Sequence, residues 1–275
     1  MSTETTISAG ANPELANKLV ADALILAEQE AVAEAIEPSI NVPLDTTVVL
    51  PGGLYDPFEG TITDVEIREL TGSDEEAISK INDQGKSLLT ILERATVKIG
   101  DQPATKELLD VLLAGDREMI LLGIRKVTFG PKVTLGPGEC PFCEVEQTFD
   151  IDLETDVPVK KLDGSEREFS VSCKVGDVLV GLPTGAAQKA LVSATNKTSA
   201  ELDTLLLKSC IVSINGNSVI TLESVKNLSI KDRRDILKVI IDHNPGPQLS
   251  EVTKPCQSCG QEVPLPLTLA DLFRE

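Results

Sequence analysis

The sequence predicts an α+β protein: a small mixed domain with helices, a zinc ribbon built from two distant Cys-x-x-Cys knuckles, and an α/β insertion between them. Three observations support this prediction. Helical and strand-like patterns alternate irregularly, which is typical of α+β proteins and not of doubly wound sheets. Two Cys-x-x-Cys pairs lie far apart in the chain, and the pattern of elements changes between them, beyond Asp163.

The composition limits the functions that the chain can have. A net charge of −19 repels a phosphate backbone, and 3% aromatic residues leave few rings to stack on bases, so general nucleic-acid binding is not expected. The single histidine, His243, excludes a metal site with several histidines. With 275 residues, 41% of them hydrophobic, the chain is long enough for two or three compact units.

The first part of the chain is predicted to contain a tail and helix at 1–44 and an α+β domain at 45–135. Residues 13–36 are rich in Ala, Leu and Glu, which favours a helix that is either the first of the core or an arm on a partner. The patterns that follow predict a strand at 46–50, which breaks at Pro51-Gly52-Gly53, and a strand at 61–70. A capping box of Ser73 and Glu76 then predicts the start of a helix, which Gly85 is a candidate to interrupt. The last elements predicted are a helix at 105–114 that Gly115 stops, a helix from Asp116, and a strand at 132–135.

The rest of the chain is predicted to contain the ribbon halves, at 136–162 and 250–275, and the α/β insertion at 163–249. In the insertion, the patterns predict strands at 169–174 and 177–182, helices at 186–194 and 201–209, a hairpin formed by 211–214 and 219–222, and a helix that begins at Ser229 and ends at Ile241.

The two cysteine pairs are the strongest functional signal. Cys140 with Cys143, and Cys256 with Cys259, each supply two thiolates in a tight turn, and together they complete the four ligands of a structural zinc. Each knuckle follows a Val-Thr pair and precedes alternating apolar residues, which indicates a degenerate internal duplication. Closing the 112-residue loop between the pairs costs about 4 kcal/mol, whereas structural zinc contributes roughly 10–16 kcal/mol. A folded insertion with adjacent ends would lower that cost further.

A redox function is the alternative for the first pair. Cys-Pro-Phe-Cys is similar to the active-site tetrad of glutaredoxins, where a helix begins at the first cysteine and lowers its pKa. Here the following residues have period two and predict a half-buried strand, and a row of carboxylates disfavours a thiolate. The row is either a solvated face that discourages edge pairing or a docking face for a basic partner or a divalent cation. Its members are Glu144, Glu146, Asp150, Asp152, Glu154 and Asp156.

No motif indicates catalysis, so the chain is predicted not to be an enzyme. Gln84-Gly85-Lys86-Ser87 lacks the upstream glycine of a phosphate-binding loop, and a helix end explains His243. Cys173 and Cys210 lie in apolar segments and are predicted core residues. We expect a cytosolic location, since no apolar run reaches the ~18 residues of a membrane span and the first residues do not form a secretory signal.

Three segments carry a family resemblance: 65–72, 112–130, and the first knuckle with its acidic strand. In this order they resemble the baseplate-hub and tail-assembly proteins of contractile-tailed bacteriophages. The resemblance covers about residues 45–160 and the second knuckle. The matching positions are Arg68, Glu69, Thr71, Gly72, Asp116, Arg117, Ile124, Arg125, Phe129 and Gly130.

The resemblance implies a structural or assembly function in a phage baseplate hub. It implies protein–protein contacts with other tail proteins, an oligomeric assembly, no membrane, and a location in the host cytoplasm during assembly and in the virion tail. The zinc would fix the fold. The other function that we consider is a zinc-ribbon adaptor in transcription or nucleic-acid handling.

Overall fold

The computed structural model describes residues 46–56, 60–162, 166–194 and 196–273. The first elements of this part of the chain include a four-stranded antiparallel sheet. Branched apolar residues form its buried face, among them Val48, Val65 and Ile99. The strands, in sheet order, are β1 (Thr46–Asp56), β2 (Gly60–Ile67), β3 (Thr96–Ile99) and β4 (Gln102–Pro103). The helix predicted at 13–36 and the tail before it lie outside the described residues.

The break predicted at Pro51-Gly52-Gly53 is wrong, because this segment is a bulge inside β1. Pairing with β2 is regular up to Val49 and resumes with a shifted register at Leu54. The backbone N–H of Gly52 donates to the carboxylate of Asp116 at 2.7 Å. A side chain from another element therefore satisfies a backbone group that the bulge leaves free.

Four helices pack with this sheet around one cluster of buried apolar side chains. They are α1 (Gly72–Ile78), α2 (Gln84–Ala95), α3 (Lys106–Val111) and α4 (Ala114–Phe129). The capping box predicted at Ser73 is wrong. Helix α1 begins two residues earlier than predicted because the backbone N–H of Thr71 donates to Asp74, which lies three residues later. Gly85, the candidate interruption, lies in the first turn of the separate helix α2, two residues after the capping residue Asp83.

Gly115 does not stop a helix, as the sequence had suggested, but lies in the first turn of α4. A Cβ atom at this position would lie 1.6 Å from the carbonyl oxygen of Pro245. The glycine is therefore explained by the close approach of a segment 130 residues away, which no local pattern reveals.

The first ribbon half is a hairpin of β5 (Lys132–Glu139) and β6 (Glu146–Asp152). Strand β5 extends four residues beyond the predicted end at Leu135. Strand β6 has the predicted alternation, with Phe149 and Ile151 buried and the acids at even positions exposed or half-buried. The short strand β7 (Val159–Lys160) follows and leads into the insertion.

The insertion has its own sheet and its own core. Its strands β8 (Glu168–Cys173), β9 (Gly176–Gly181) and β10 (Ile211–Ile214) form an antiparallel sheet in the order β10-β9-β8. Its helices are α5 (Gly185–Ser193), α6 (Ser199–Cys210), α7 (Leu222–Lys226) and α8 (Ile230–His243). The strand predicted at 219–222 is wrong, because Thr221 caps α7 and accepts a hydrogen bond from the N–H of Ser224.

The chain returns from the insertion beside the point where it left. Strand β11 (Gly246–Pro247) pairs with β7, so these two short strands hold the segments on either side of the insertion next to each other. A 3₁₀ turn (Leu249–Glu251) leads into the second ribbon hairpin. That hairpin consists of β12 (Thr253–Pro255) and β13 (Glu262–Pro264), and helix α9 (Leu269–Leu272) follows it.

The predicted α+β class is confirmed: nine helices and several small sheets are present in the described part of the chain. Buried apolar residues of α4, β6 and the segment after the insertion form a further cluster that joins the ribbon halves to the first domain. The boundaries between the predicted domains stay a prediction. Over the described residues, no helix is both long enough and apolar enough to span a membrane.

Candidate metal centre

The two knuckles are turns at the tips of the ribbon hairpins and share one backbone pattern. In the first, the N–H of Cys140 donates to the carbonyl of Val145 at 3.0 Å, and the N–H of Glu144 donates to the carbonyl of Cys140 at 2.9 Å. The second knuckle repeats both bonds at the same spacing around Cys256, at 2.8 and 2.9 Å. The geometry of the turns agrees with the predicted internal duplication.

The structure brings all four predicted cysteines together. Their sulfur atoms lie within 4.8 Å of one another. The Sγ atoms of Cys140 and Cys259 are 3.8 Å apart, and those of Cys143 and Cys256 are 3.7 Å apart. A tetrahedron of sulfurs at the usual Zn–S distance has edges of about 3.8 Å, whereas a disulfide requires about 2 Å. The arrangement therefore fits a shared tetrahedral ion and not disulfide bonds.

A glutamine that the sequence had not indicated supports the cluster. The side-chain amide of Gln147 donates to the sulfur of Cys256 at 3.0 Å, and its carbonyl accepts from the N–H of Gln257 at 3.1 Å. The N–H groups of Cys259 and Ser258 also donate to the sulfur of Cys256. These donors lower the pKa of its thiol to about 6. Metal binding requires thiolates, so these donors favour the ligand form of Cys256, whereas burial and the neighbouring thiols raise the pKa of Cys259 to about 12.

The site is closed on one side and open on the other. Cys140 and Cys256 are buried with Phe149 and Val263, whereas Cys143 is half-buried and Cys259 is exposed. A donor set of four soft sulfurs suits zinc, and it leaves no position for a water ligand, so a bound ion would be structural. These residues would hold the ion and tie the two hairpins to each other.

The other residues considered in the sequence have structural positions. Burial raises the pKa of the Cys210 thiol to about 12, and Cys173 packs partly against the insertion core. His243 ends α8, where its ring lies 4.0 Å from that of Phe169 and its Nδ1 is 2.8 Å from the carbonyl oxygen of Val239. The element before Lys86 is helix α1 and not a strand, so the segment around Lys86 is not a phosphate-binding loop.

One polar centre that the sequence did not reveal is Asp74 in α1. Its side chain is 1% exposed and accepts from the guanidinium groups of Arg68 and Arg94, each at 2.6 Å. The hydrogen bond from Arg68 is the main cause that lowers the pKa of Asp74 below its usual range. Arg68 is one of the resemblance positions, and its role in this structure is to hold the start of α1 against the end of α2.

Two further resemblance positions, Asp116 and Arg117, are buried in the first turn of α4. Burial raises the pKa of Asp116, whose carboxylate accepts from the bulge at Gly52. The guanidinium of Arg117 donates to the carbonyl of Leu109 at 2.8 Å. Both residues therefore connect α4 to other segments of the fold.

A cavity of about 530 Å³ lies between α1, α2, the end of α4 and α9. Its apolar lining includes Leu70, Ile78, Leu88 and Phe273, and among the described residues that line it only Glu75 is acidic or basic. These described residues therefore supply no pair of groups for acid–base chemistry.

A comparison with protein families gave one finding. The family described as "T4 bacteriophage base plate protein" matches residues 55–274, which include both knuckles, the helices of the first domain and the insertion. The match extends through the insertion, which the resemblance in the sequence had not covered. Neither the curated proteins nor the solved structures that were compared gave a match.

Proposed function

Because the chain belongs to the T4 bacteriophage base plate protein family, we propose that it is a structural or assembly protein of a phage baseplate hub. It would act through contacts with other tail proteins, in the host cytoplasm during assembly and in the virion tail afterwards. The family match over residues 55–274 carries this proposal.

We propose that the four-cysteine cluster holds one zinc ion and that the ion fixes the ribbon. The spacing of the sulfurs and the support from Gln147 favour zinc, and the cluster joins segments on either side of the insertion. Four thiolates fill the coordination shell, so zinc here would supply stability and no Lewis-acid chemistry.

We also propose that the protein is not an enzyme. The cavity between α1 and α9 is mainly apolar, and Asp74, Asp116 and Arg117 form contacts within the fold. Such features suit a protein that presents surfaces to partners.

Mass spectrometry of purified phage particles and of assembly intermediates tests the hub proposal. We expect the chain in the tail fraction, in a fixed ratio to other baseplate proteins. Its presence in intermediates alone would make it an assembly chaperone, and its absence from both would refute the proposal. Retention on DNA or RNA at low salt, reversed by added salt, would instead support the adaptor function.

A further inference from the structure

Helix α8 has a basic face that is unusual in a chain of net charge −19. Lys231, Arg234 and Lys238 are exposed within about 60° of arc and over roughly 10 Å of helix length, with Asp235 and Asp242 beside Lys231 at one edge of that arc. Ile230 and Ile241 lie on the same side and are 71% and 69% exposed. In the described part of the chain, none of the three cations forms an ion pair or a side-chain hydrogen bond. We call these five residues the basic face.

The tip of the first knuckle has the opposite charge and a similar apolar component. Glu139 and Glu146 are directly opposite each other in the β5–β6 ladder, and Glu144 lies in the turn between them. Phe142 and Val145, in the same turn, are 58% and 42% exposed. Like charges directly opposite each other destabilise a hairpin, and a cationic surface placed against them would relieve that repulsion. We call these five residues the knuckle tip.

The three carboxylates of the knuckle tip also lack ion pairs within the described residues. Each surface thus combines three unpaired charges of one sign with two exposed apolar side chains. We propose that the protein associates with itself head to tail, with the knuckle tip of one copy bound to the basic face of the next. We assign a second copy of this chain as the partner of each surface, because that copy carries the surface of opposite charge.

The two surfaces are different, so the contact is heterologous. Each bound copy keeps a free knuckle tip at one end and a free basic face at the other, and the assembly grows into a ring or an open chain. Repulsion between copies of charge −19 acts over long distances and is screened near 0.15 M salt, where the Debye length is about 8 Å. Ion pairs in direct contact lie inside that length, so association should persist there and weaken near 1 M salt.

Sedimentation velocity of the full-length, zinc-loaded chain tests the proposal with two charge-reversal variants. The first is Arg234→Glu with Lys238→Glu on the basic face, and the second is Glu139→Lys with Glu146→Lys on the knuckle tip. We expect the wild-type mass to rise with concentration, and each variant alone to associate at least tenfold more weakly. In an equimolar mixture the reversed surfaces complement each other, so the mixture should associate about as strongly as the wild type.

Two control variants change the net charge equally at other exposed positions. They are Lys208→Glu with Lys226→Glu, on α6 and α7, and Glu76→Lys with Glu223→Lys, on α1 and α7. Both should associate like the wild type. Zinc content and circular dichroism of every variant would detect a variant that has lost the knuckle or the fold.

Three results would overturn the proposal: a wild-type chain that stays monomeric, association that the reversed charges do not weaken, or a mixture that fails to recover it. None of these results would bear on contacts with other tail proteins, so the proposed hub function is tested separately.

Discussion

Glu144 and Gly260 occupy equivalent positions in the two knuckles, four residues after the first cysteine of each pair, and both have left-handed backbone, with φ of 59° and 72°. A residue with a Cβ atom is strained in this conformation and glycine is not. The second knuckle therefore has the residue that the turn favours, and the first has a glutamate that stores strain at the same point.

We expect Glu144→Gly to raise the free energy of unfolding by about 1 kcal/mol, because the substitution removes this strain. The reverse test is Gly260→Ala, which should lower it by a similar amount. A Cβ atom at Gly260 meets no atom within 4 Å, so the backbone angle alone would cause the loss. Denaturant unfolding of the zinc-loaded proteins measures both changes, and effects of the same sign would contradict the interpretation.

The cysteine cluster predicts one zinc per chain by elemental analysis of the purified protein. Replacing Cys140 and Cys259 by Ser together should abolish zinc binding and loosen both hairpins, because each knuckle keeps only one ligand. Cys173→Ser is the matched control, since this thiol lies outside the cluster, and it should keep the zinc. A folded wild-type protein without metal would refute the prediction.

The ion cluster at Asp74 predicts a loss of stability in acid. Its pKa is lower in the folded protein than in the unfolded chain, so its contribution is complete above about pH 4 and is lost as pH falls toward the folded pKa. Asp74→Asn should lower the free energy of unfolding by about 2 kcal/mol at pH 7 and flatten its dependence on pH below 4. Urea unfolding at pH 2.5–7 measures both effects, with the exposed Glu76→Gln as a control that should change little.

Glu118 in α4 predicts the opposite dependence on pH. Burial raises the pKa of its carboxyl to about 7. In the unfolded chain this carboxyl ionises near pH 4.3, so the free energy of unfolding falls as pH rises from about 4.3 to about 7. Glu118→Gln removes this cost, and we expect it to raise the free energy of unfolding at pH 8 by about 1–3 kcal/mol and to have little effect at pH 4. Equal effects at both values would show that the carboxyl does not titrate in this range.

Features that depend on short spacings were predictable from the sequence. The cysteine pairs could be assigned to one site because four thiolates in two knuckles match a tetrahedral ion, and the alternation after Cys143 gave strand β6 directly. The strand expected at 219–222 failed because two local signals compete there. The residues at 219–222 favour a strand, but Thr221 and Ser224 form a capping box, and the chain begins helix α7 there.

Features that depend on distant contacts were not predictable. Gly115 has a local pattern typical of a helix stop, and only the approach of Pro245 shows why a glycine lies inside the helix. Likewise, the half-buried Gln147 contacts Cys256 from 109 positions away, and nothing in its immediate sequence neighbours indicates this contact.

The order of the ligands along the chain affects when the site can form during synthesis. A ribosome that has made the first knuckle and the whole insertion has supplied only two of the four sulfurs, and the others arrive with Cys256 and Cys259. A nascent chain that stops anywhere before residue 256 has half a site, however well its earlier elements fold. Completion of the four-sulfur cluster therefore distinguishes chains that extend past Cys259 from chains that stop before Cys256, before either meets a partner.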